Sequence, residues 1–299
     1  MTAQRASLYL IAGGCMWGIY WLPLRMLEQL GMTGTSAGII LYITCLIGLF
    51  PVIWRYRAII ISQWRILLFS GMMTGCAFSL YTTSLSYTDV IRSILLFYLT
   101  PVWGTLLGVF ILRESVTFAR IAVILCAFLG LYAILGSGNN LPIPRNLGDV
   151  LALLSGIFWA IGSLGLLRAQ TIPVMPQLIS FLAGSLVVSL LSLALIGDVP
   201  TLPQTAIDWF YIIGFTACFA LFAIPMFWLT IAPARILTPA RVGILLMSEV
   251  VVGAVSAMLF SGEPFGQAEL IGTILIMLAA LIEVITASRS DKHDKPASI

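Results

Sequence analysis

The sequence predicts an all-α integral membrane protein whose ten transmembrane helices form two inverted five-helix repeats. Three observations predict this fold: the composition, a repeated segment, and the distribution of the basic residues. Of the 299 residues, 60% are hydrophobic and only 9% are charged, whereas an ordinary soluble domain is about 25% charged. So few charges cannot cover a surface exposed to water, and most of the chain is therefore predicted to lie in a lipid bilayer.

The repeated segment is an apolar run bounded by an arginine and a glutamate. It occurs from Arg92 to Glu114 and again, 149 residues later, from Arg241 to Glu263. Each copy is long enough to cross a membrane, because about 20 helical residues at about 1.5 Å each cover a hydrocarbon core of about 30 Å. Two small residues of each copy also match at this offset: Gly104 and Gly108 in the first, Gly253 and Ala257 in the second.

A second match lies upstream, where Gly14-Cys-Met-Trp17 resembles Gly156-Ile-Phe-Trp159 at an offset of 142 residues. The two halves therefore differ by a short connection. We predict a first repeat over 1–140, a second, inverted repeat over 141–290, and a disordered cytoplasmic tail over 291–299.

Charged or Pro/Gly/Asn-rich breaks divide the chain into ten apolar spans. The clearest loop signals lie at 55–57, 136–142 and 197–203. Trp54, Trp64 and Trp209 lie at span ends, where they are predicted to anchor the helices at the membrane interface. The predicted spans are 7–26, 35–54, 65–87, 90–112, 117–136, 148–168, 174–196, 207–231, 238–260 and 266–287.

The basic residues predict the orientation, because loops on the cytoplasmic side carry an excess of Lys and Arg. If the N-terminus is cytoplasmic, twelve of the fifteen basic residues lie on that side, and only Arg25, Arg92 and Arg145 lie on the other. Both termini are therefore predicted to be cytoplasmic. Five spans per half is an odd number, so the second half inserts upside down relative to the first, as in carriers that work by alternating access.

Several function classes are disfavoured by what the chain lacks. The net charge of +3 is too small to indicate nucleic acid binding. The single histidine, His293, lies in the tail, and the five cysteines lie in apolar runs without metal-ligand spacing. No phosphate-binding GxxxxGK[ST] motif occurs. We therefore expect no enzyme, no cofactor and no metal, and we expect the first apolar run to be retained as a helix instead of cleaved as a signal peptide.

The fourth predicted span has two distinct faces. Tyr98, Pro101 and Thr105 share one face, and Gly104 and Gly108 share the other. Pro101 is predicted to kink the helix, because it lacks a backbone N–H. We interpret the tyrosine face as lining a cavity and the glycine face as a close-packing surface, although such glycine pairs are common in membrane helices. Similar small-residue pairs occur at Gly14/Gly18, Gly71/Gly75 and Gly253/Ala257.

The chain resembles the drug/metabolite transporter superfamily and its ten-helix EamA-type members, most closely the YddG-type amino acid exporters. The residues that carry this resemblance are Trp17-Gly18, the run from Leu96 to Trp103, Arg113-Glu114, Trp159 and Glu263. The resemblance implies a multi-pass protein of the bacterial inner membrane that exports aromatic and other neutral amino acids. It also implies a cavity walled by spans one, three, four, six, eight and nine, which favours these substrate-binding residues: Trp17, Phe78, Tyr81, Tyr98, Trp159, Trp228 and Met247.

Glu249 is the one carboxylate predicted to lie deep in a span, and burial of its charge costs at least about 2.5 to 3.5 kcal/mol. Two interpretations stay open: a site for a coupling proton or a substrate ammonium group, and a protonated structural hydrogen bonder. The position that matches it in the first half is Thr100, so the repeat itself does not require a carboxylate there.

Together these patterns predict a secondary transporter for small amphiphilic metabolites, with the substrate and the lipid bilayer as its partners and no nucleic acid. The alternatives are an exporter of other compounds, such as nucleosides or toxic cations, and a membrane enzyme or scaffold. The sequence leaves the oligomeric state open, and a monomer is compatible with it.

Overall fold

A computed structural model of the protein describes residues 3–32, 34–100, 102–103, 106–107, 118–135, 144–196, 205–234, 245–246, 248–260, 266–268, 270–275, 277–279 and 282. These residues form helices and connecting turns, without a β-strand among them. A further short apolar helix occupies Leu270–Ala279. The other helices, in chain order, are α1 (Ala3–Gly18), α2 (Trp21–Gln29), α3 (Gly34–Gly48), α4 (Phe50–Ser62), α5 (Trp64–Ser84), α6 (Val90–Phe97), α7 (Phe118–Leu135), α8 (Leu147–Arg168), α9 (Val174–Ile196), α10 (Ala206–Ala234) and α11 (Ser248–Phe260).

Within the described ranges, four helical stretches are long and apolar enough to cross a membrane: Gln4–Gln29, Trp64–Ser84, Val174–Leu195 and Ala206–Pro233. A fifth is added if the bent pair α3 and α4 counts as one span. The all-helical, membrane-spanning class is thus confirmed, whereas the total of ten spans stays a prediction.

The first span contains a break between α1 and α2. Pro23 lies in the first turn of α2 and has no backbone N–H to donate to the carbonyl four residues earlier, that of Ile19. At the break the backbone forms hydrogen bonds between residues three positions apart, as in a 3₁₀-helix. The Tyr20 nitrogen, for example, donates to the Trp17 carbonyl at 3.0 Å. The break places two large aromatic residues, Trp17 and Tyr20, side by side in the interior.

The second span differs from its prediction. The loop expected at 55–57 is wrong, because these residues lie within α4, and the chain instead bends by 81° between α3 and α4. Pro51 lies in the first turn of α4, where its missing N–H ends the hydrogen-bond ladder of α3. The helix accommodates the charge of Arg57 because this side chain is exposed. Its guanidinium lies 4.6 Å from the Trp54 ring and donates to the Trp54 carbonyl at 2.9 Å.

The two predicted halves are joined by close packing of α5 against α8 and α9. Small residues permit this approach: a methyl group at Gly162 would lie 2.7 Å from the Thr74 side chain, and one at Gly75 would collide with the backbone of Gly184. Ser79 and Ser189 share a hydrogen bond of 2.7 Å across α5 and α9. Contacts of this kind replace hydrophobic burial as the basis of helix association in a bilayer.

Candidate functional site

A cluster of aromatic rings fills the centre of the helix bundle. Trp17 on α1, Phe78 on α5, Phe181 on α9 and Phe227 on α10 are each less than 9% exposed. The Phe78 ring lies 5.1 Å from that of Trp17 and 5.2 Å from those of Phe181 and Phe227. The Trp17 indole nitrogen donates to the Thr230 hydroxyl at 2.8 Å, so its one polar group is satisfied. In this conformation the rings pack against one another and occupy the space between the helices.

Trp17 and Phe78 were expected from the sequence, but Phe181 and Phe227 were not. A phenylalanine in an apolar span has no polar group and no spacing that distinguishes a central ring from one that faces lipid. Only the packing of α9 against α5, and of α10 against α1 and α3, brings these two residues into the cluster.

Glu249 lies beside this cluster, at the start of α11, with its side chain buried and 4% of the residue exposed. The Tyr98 hydroxyl lies 2.8 Å from Glu249 Oε2, and the Tyr81 hydroxyl lies 3.3 Å from Oε1. We call Glu249, Tyr81 and Tyr98 the carboxylate site. The structure therefore brings together three residues that the sequence places in different predicted spans.

The Tyr98 hydroxyl can serve Glu249 in either protonation state. It lies 2.8 Å from the Leu246 carbonyl as well as from the carboxylate. A hydroxyl carries one hydrogen and two acceptor lone pairs. It can therefore donate to an ionised carboxylate, or accept from a protonated one while donating to Leu246. Both states of the acid have a hydrogen-bonding partner without movement of the ring.

Tyr98 owes its position to the end of α6. This helix ends at Phe97, and Pro101, which lies outside the described residues, has no N–H for the Phe97 carbonyl. The Thr100 hydroxyl donates to that carbonyl instead, at 2.6 Å. A methyl group at Gly156 would lie 2.9 Å from the same carbonyl oxygen, so α8 passes close to the end of α6.

The remaining predicted site residues lie at different distances from this centre. Trp159 is half-buried, and its ring lies 6.3 Å from that of Phe97, whose other neighbours are Tyr81 and Tyr98. Trp228 is also half-buried, but it contacts Tyr9 with its ring 6.1 Å away. Met247, Pro101, Gly104 and Gly108 lie outside the described residues.

Gly253 lies where α11 crosses the end of α1. A methyl group at Gly18 would lie 2.7 Å from the Gly253 nitrogen and 2.9 Å from the Glu249 carbonyl oxygen. Ser256, one turn further, lies 2.9 Å from the Gly18 carbonyl and accepts the Trp21 indole N–H at 2.9 Å. This crossing brings the backbones of the two predicted halves together beside the carboxylate site.

Sequence reasoning missed a buried ion pair between Arg92 and Asp149. Arg92 Nη2 lies 2.6 Å from Asp149 Oδ2, and Arg92 Nε lies 3.3 Å from Oδ1, with the two side chains 8% and 0% exposed. Both residues lie at predicted span ends, where a charge is usually hydrated, and they are 57 positions apart. Neither the spacing nor the periodicity of the sequence carries a signal for this pair.

The described residues contain no group of three His, Cys, Asp or Glu side chains arranged to hold a metal ion. The chemistry available at the centre is therefore that of one carboxylate, two phenolic hydroxyls and several aromatic rings. Such a set can bind a cation or a proton and can pack against an apolar ring.

Comparison with known proteins assigns the chain to a family. A search of curated protein sequences returned no match. One solved crystal structure has the same fold, with a TM-score of 0.61 over 97% of this chain and 100% of the other, at 15% sequence identity. The sequence profile of the EamA-like transporter family matches residues 4–136 and 146–285, which is most of the chain. Members of this family are multi-pass membrane proteins that transport small metabolites, and the present protein belongs to the EamA-like transporter family.

Proposed function

We propose that the protein is a secondary transporter of the bacterial inner membrane that exports aromatic and other neutral amino acids. Two inverted five-helix halves enclose an aromatic-lined central cavity in this proposal, and both chain termini lie in the cytoplasm. Membership of the family supports transport of a small metabolite. The sequence repeat supports alternating access with the substrate bound between the halves, and the resemblance to YddG-type exporters supports the amino acid class.

The observation that carries the proposal is the carboxylate site. Glu249 is buried among apolar helices, where an isolated charge is unfavourable, so it carries a proton or is neutralised by a cation. An amino acid supplies an ammonium group for the carboxylate. An aromatic amino acid also supplies a ring, which suits the neighbouring rings of Phe97, Tyr98 and Trp159. The site thus matches the ammonium group and the ring of such a substrate.

The same residue couples substrate export to proton entry in this proposal. Closure of the cavity removes water and disfavours the ionised carboxylate, whereas water or a substrate ammonium group favours it. A carboxylate that meets these environments in turn binds a proton on one side of the membrane and releases it on the other. The dual role available to the Tyr98 hydroxyl lets Glu249 change its protonation state within a fixed frame.

Transport into inverted membrane vesicles tests both parts of the proposal. Radiolabelled phenylalanine should accumulate when the vesicle interior is made acidic. The Glu249→Gln variant keeps the shape of the side chain but cannot ionise, so accumulation driven by the proton gradient and its pH dependence should be lost. Exchange of substrate down its own gradient should survive with a raised KM, because the amide oxygen can still accept from the ammonium group. Asp208→Asn is the matched control, because Asp208 is an exposed carboxylate at the start of α10.

Two outcomes would contradict the proposal in different ways. If Glu249→Gln transports with the wild-type pH profile, Glu249 is a structural hydrogen bonder and coupling occurs elsewhere or not at all. If no amino acid among the twenty is transported by the wild-type protein, the substrate class is wrong.

A second candidate function is export of lipophilic organic cations. It is favoured by the same site, since a buried carboxylate next to aromatic rings attracts a cation whether or not the ligand also carries a carboxylate. A quaternary ammonium dye in the same vesicle assay distinguishes the two: transport of the dye without transport of phenylalanine would favour this candidate.

A further inference from the structure

The Arg92–Asp149 pair joins the two predicted halves at one end of the bundle. Arg92 lies in the first turn of α6, which belongs to the first half, and Asp149 lies in the first turn of α8, which belongs to the second. The contact is bidentate and its two side chains are almost fully enclosed. Any motion that separates the start of α6 from the start of α8 must break it.

Asp149 is also held by the segments that lead into α6 and into α8. The Thr88 hydroxyl donates to Asp149 Oδ1 at 2.8 Å, and the Arg145 backbone nitrogen donates to Oδ2 at 3.0 Å. A methyl group at Gly148 would lie 2.7 Å from the Thr88 nitrogen, so the backbones of the two halves are in contact here as well. The connection between α5 and α6 therefore packs directly against the start of α8.

A buried ion pair can form and break reversibly, because its net contribution to stability is small. A buried ion pair adds little net stability over an apolar contact, because the cost of removing both charges from water offsets their attraction. When the contact opens to water, each charge recovers its hydration. The closed and open states can then differ by a small free energy, as a reversible conformational change requires.

The sequence repeat does not reproduce this pair at the matching positions of the other end. At the repeat offsets of 149 and 142 residues, the positions that match Arg92 and Asp149 are Arg241 and Ser7. An inverted repeat places these residues at the other end of the bundle. The second position carries a serine there, so the arginine has no carboxylate at the matching site.

We propose that Arg92 and Asp149 form a gate that closes the transport pathway at the end of the bundle where α6 and α8 begin. The distribution of basic residues predicts that this is the non-cytoplasmic end. The inference rests on the proposed function in that it requires a carrier whose two halves separate at each end in turn. The gate biases the unloaded carrier towards closure on the non-cytoplasmic side, because the repeat mate of Asp149 is a serine and not a carboxylate.

Cysteine accessibility tests the gate without requiring a known substrate. The five native cysteines are replaced, and a reporter cysteine is introduced at Ser155, which lies on α8 beyond Asp149 and is fully buried. A membrane-impermeant maleimide then reports access from outside in whole cells and from the cytoplasmic side in inverted vesicles. The test variant is Arg92→Gln with Asp149→Asn, which removes both charges and leaves neither unpaired, and Asp208→Asn is the control.

The double variant should label at least about tenfold faster than the parent in whole cells, since an open state of about 1% need only rise to about 10%. The control should label like the parent. If the double variant is recovered folded and labels at the parental rate, the pair is a static structural contact and the proposal is wrong. Faster labelling only in inverted vesicles would also overturn it, because it would place the gate at the cytoplasmic end.

If the double variant is not recovered in a folded form, Arg92→Lys keeps the charge but loses the two-pronged contact, and it should still raise labelling in whole cells. An unchanged rate in this variant would also overturn the gate. The labelling assay is independent of transport, so a functional gate without amino acid export would contradict only the proposed substrate. Normal export with no change in labelling would contradict only the gate.

Discussion

The crossing of α1 and α11 makes a quantitative prediction about three glycines. At Gly18, a methyl group would lie within 3 Å of two backbone atoms of α11, the Gly253 nitrogen and the Glu249 carbonyl oxygen. At Gly253, the nearest atom is instead the end of the flexible Ile94 side chain. At Gly214, in the first third of α10, nothing lies within 4 Å. The same substitution, glycine to alanine, therefore meets rigid backbone, a movable side chain, and open space.

The expected effects follow that order. Gly18→Ala should lower the free energy of unfolding by about 1 to 3 kcal/mol, because the helices must move apart to admit the methyl group. Gly253→Ala should lower the free energy of unfolding by a smaller amount, because Ile94 can change rotamer. Gly214→Ala should be neutral or should stabilise by up to about 1 kcal/mol, since alanine has the higher helix propensity.

Thermal unfolding of the purified variants in one detergent measures this series, with the fraction that remains monodisperse on size-exclusion chromatography as the readout. Gly214→Ala controls for purification and for helix propensity. If Gly18→Ala melts at the same temperature as Gly214→Ala, the two helices do not approach each other as described, and the argument that links this crossing to the position of Glu249 fails with it.

Three further predictions concern the site and the orientation. Tyr98→Phe keeps the ring but removes a hydrogen bond that is worth about 1.5 to 3 kcal/mol when Glu249 is ionised, so export should fall about tenfold or more. Tyr42, a buried tyrosine of α3 whose hydroxyl lies 3.3 Å from that of Thr82, is the control: Tyr42→Phe should have little effect, and equal losses would contradict the prediction. Trp159→Ala should reduce export while folded protein remains in the membrane, and unchanged export would make Trp159 a packing residue. A reporter that is active only in the periplasm should be silent when fused after Ile299, and strong activity would refute the predicted orientation.

The long helices could be predicted from sequence because each is an apolar run bounded by residues that break helices. The predicted span 174–196 coincides with α9, and 207–231 differs from α10 by a few residues at its ends. The pattern of apolar runs does not predict where a span bends or breaks inside the membrane. The break after Phe97 depends on whether neighbouring groups satisfy a freed carbonyl, as Thr100 does, and that is a property of three-dimensional packing.

The candidate site was predicted only as far as single residues carry a signal. A carboxylate in mid-span is conspicuous, as are tyrosine and tryptophan, because their polar groups need partners in a bilayer. Sequence reasoning therefore found Glu249, Tyr81 and Tyr98 individually. It did not find that both tyrosines lie against this carboxylate, nor that Arg92 and Asp149 pair, because those facts depend on how the two halves interlock.

The preferred resting orientation of the carrier depends on the positions at which the two halves differ. If an inverted repeat were perfectly symmetric, its two orientations would have equal free energies, and the carrier would have no preferred resting side. A preference must therefore come from positions where the repeat mates differ. Thr100 and Glu249 are such a pair, and Ser7 and Asp149 are another.

In the first half the polar residue, Thr100, satisfies a carbonyl that a following proline leaves free. In the second half Val250 follows instead of a proline, so the matching carbonyl, that of Leu246, does not lose its backbone N–H partner to a proline. The side chain at position 249 is therefore not needed to replace a missing N–H, and its carboxylate is available to bind a proton or a ligand.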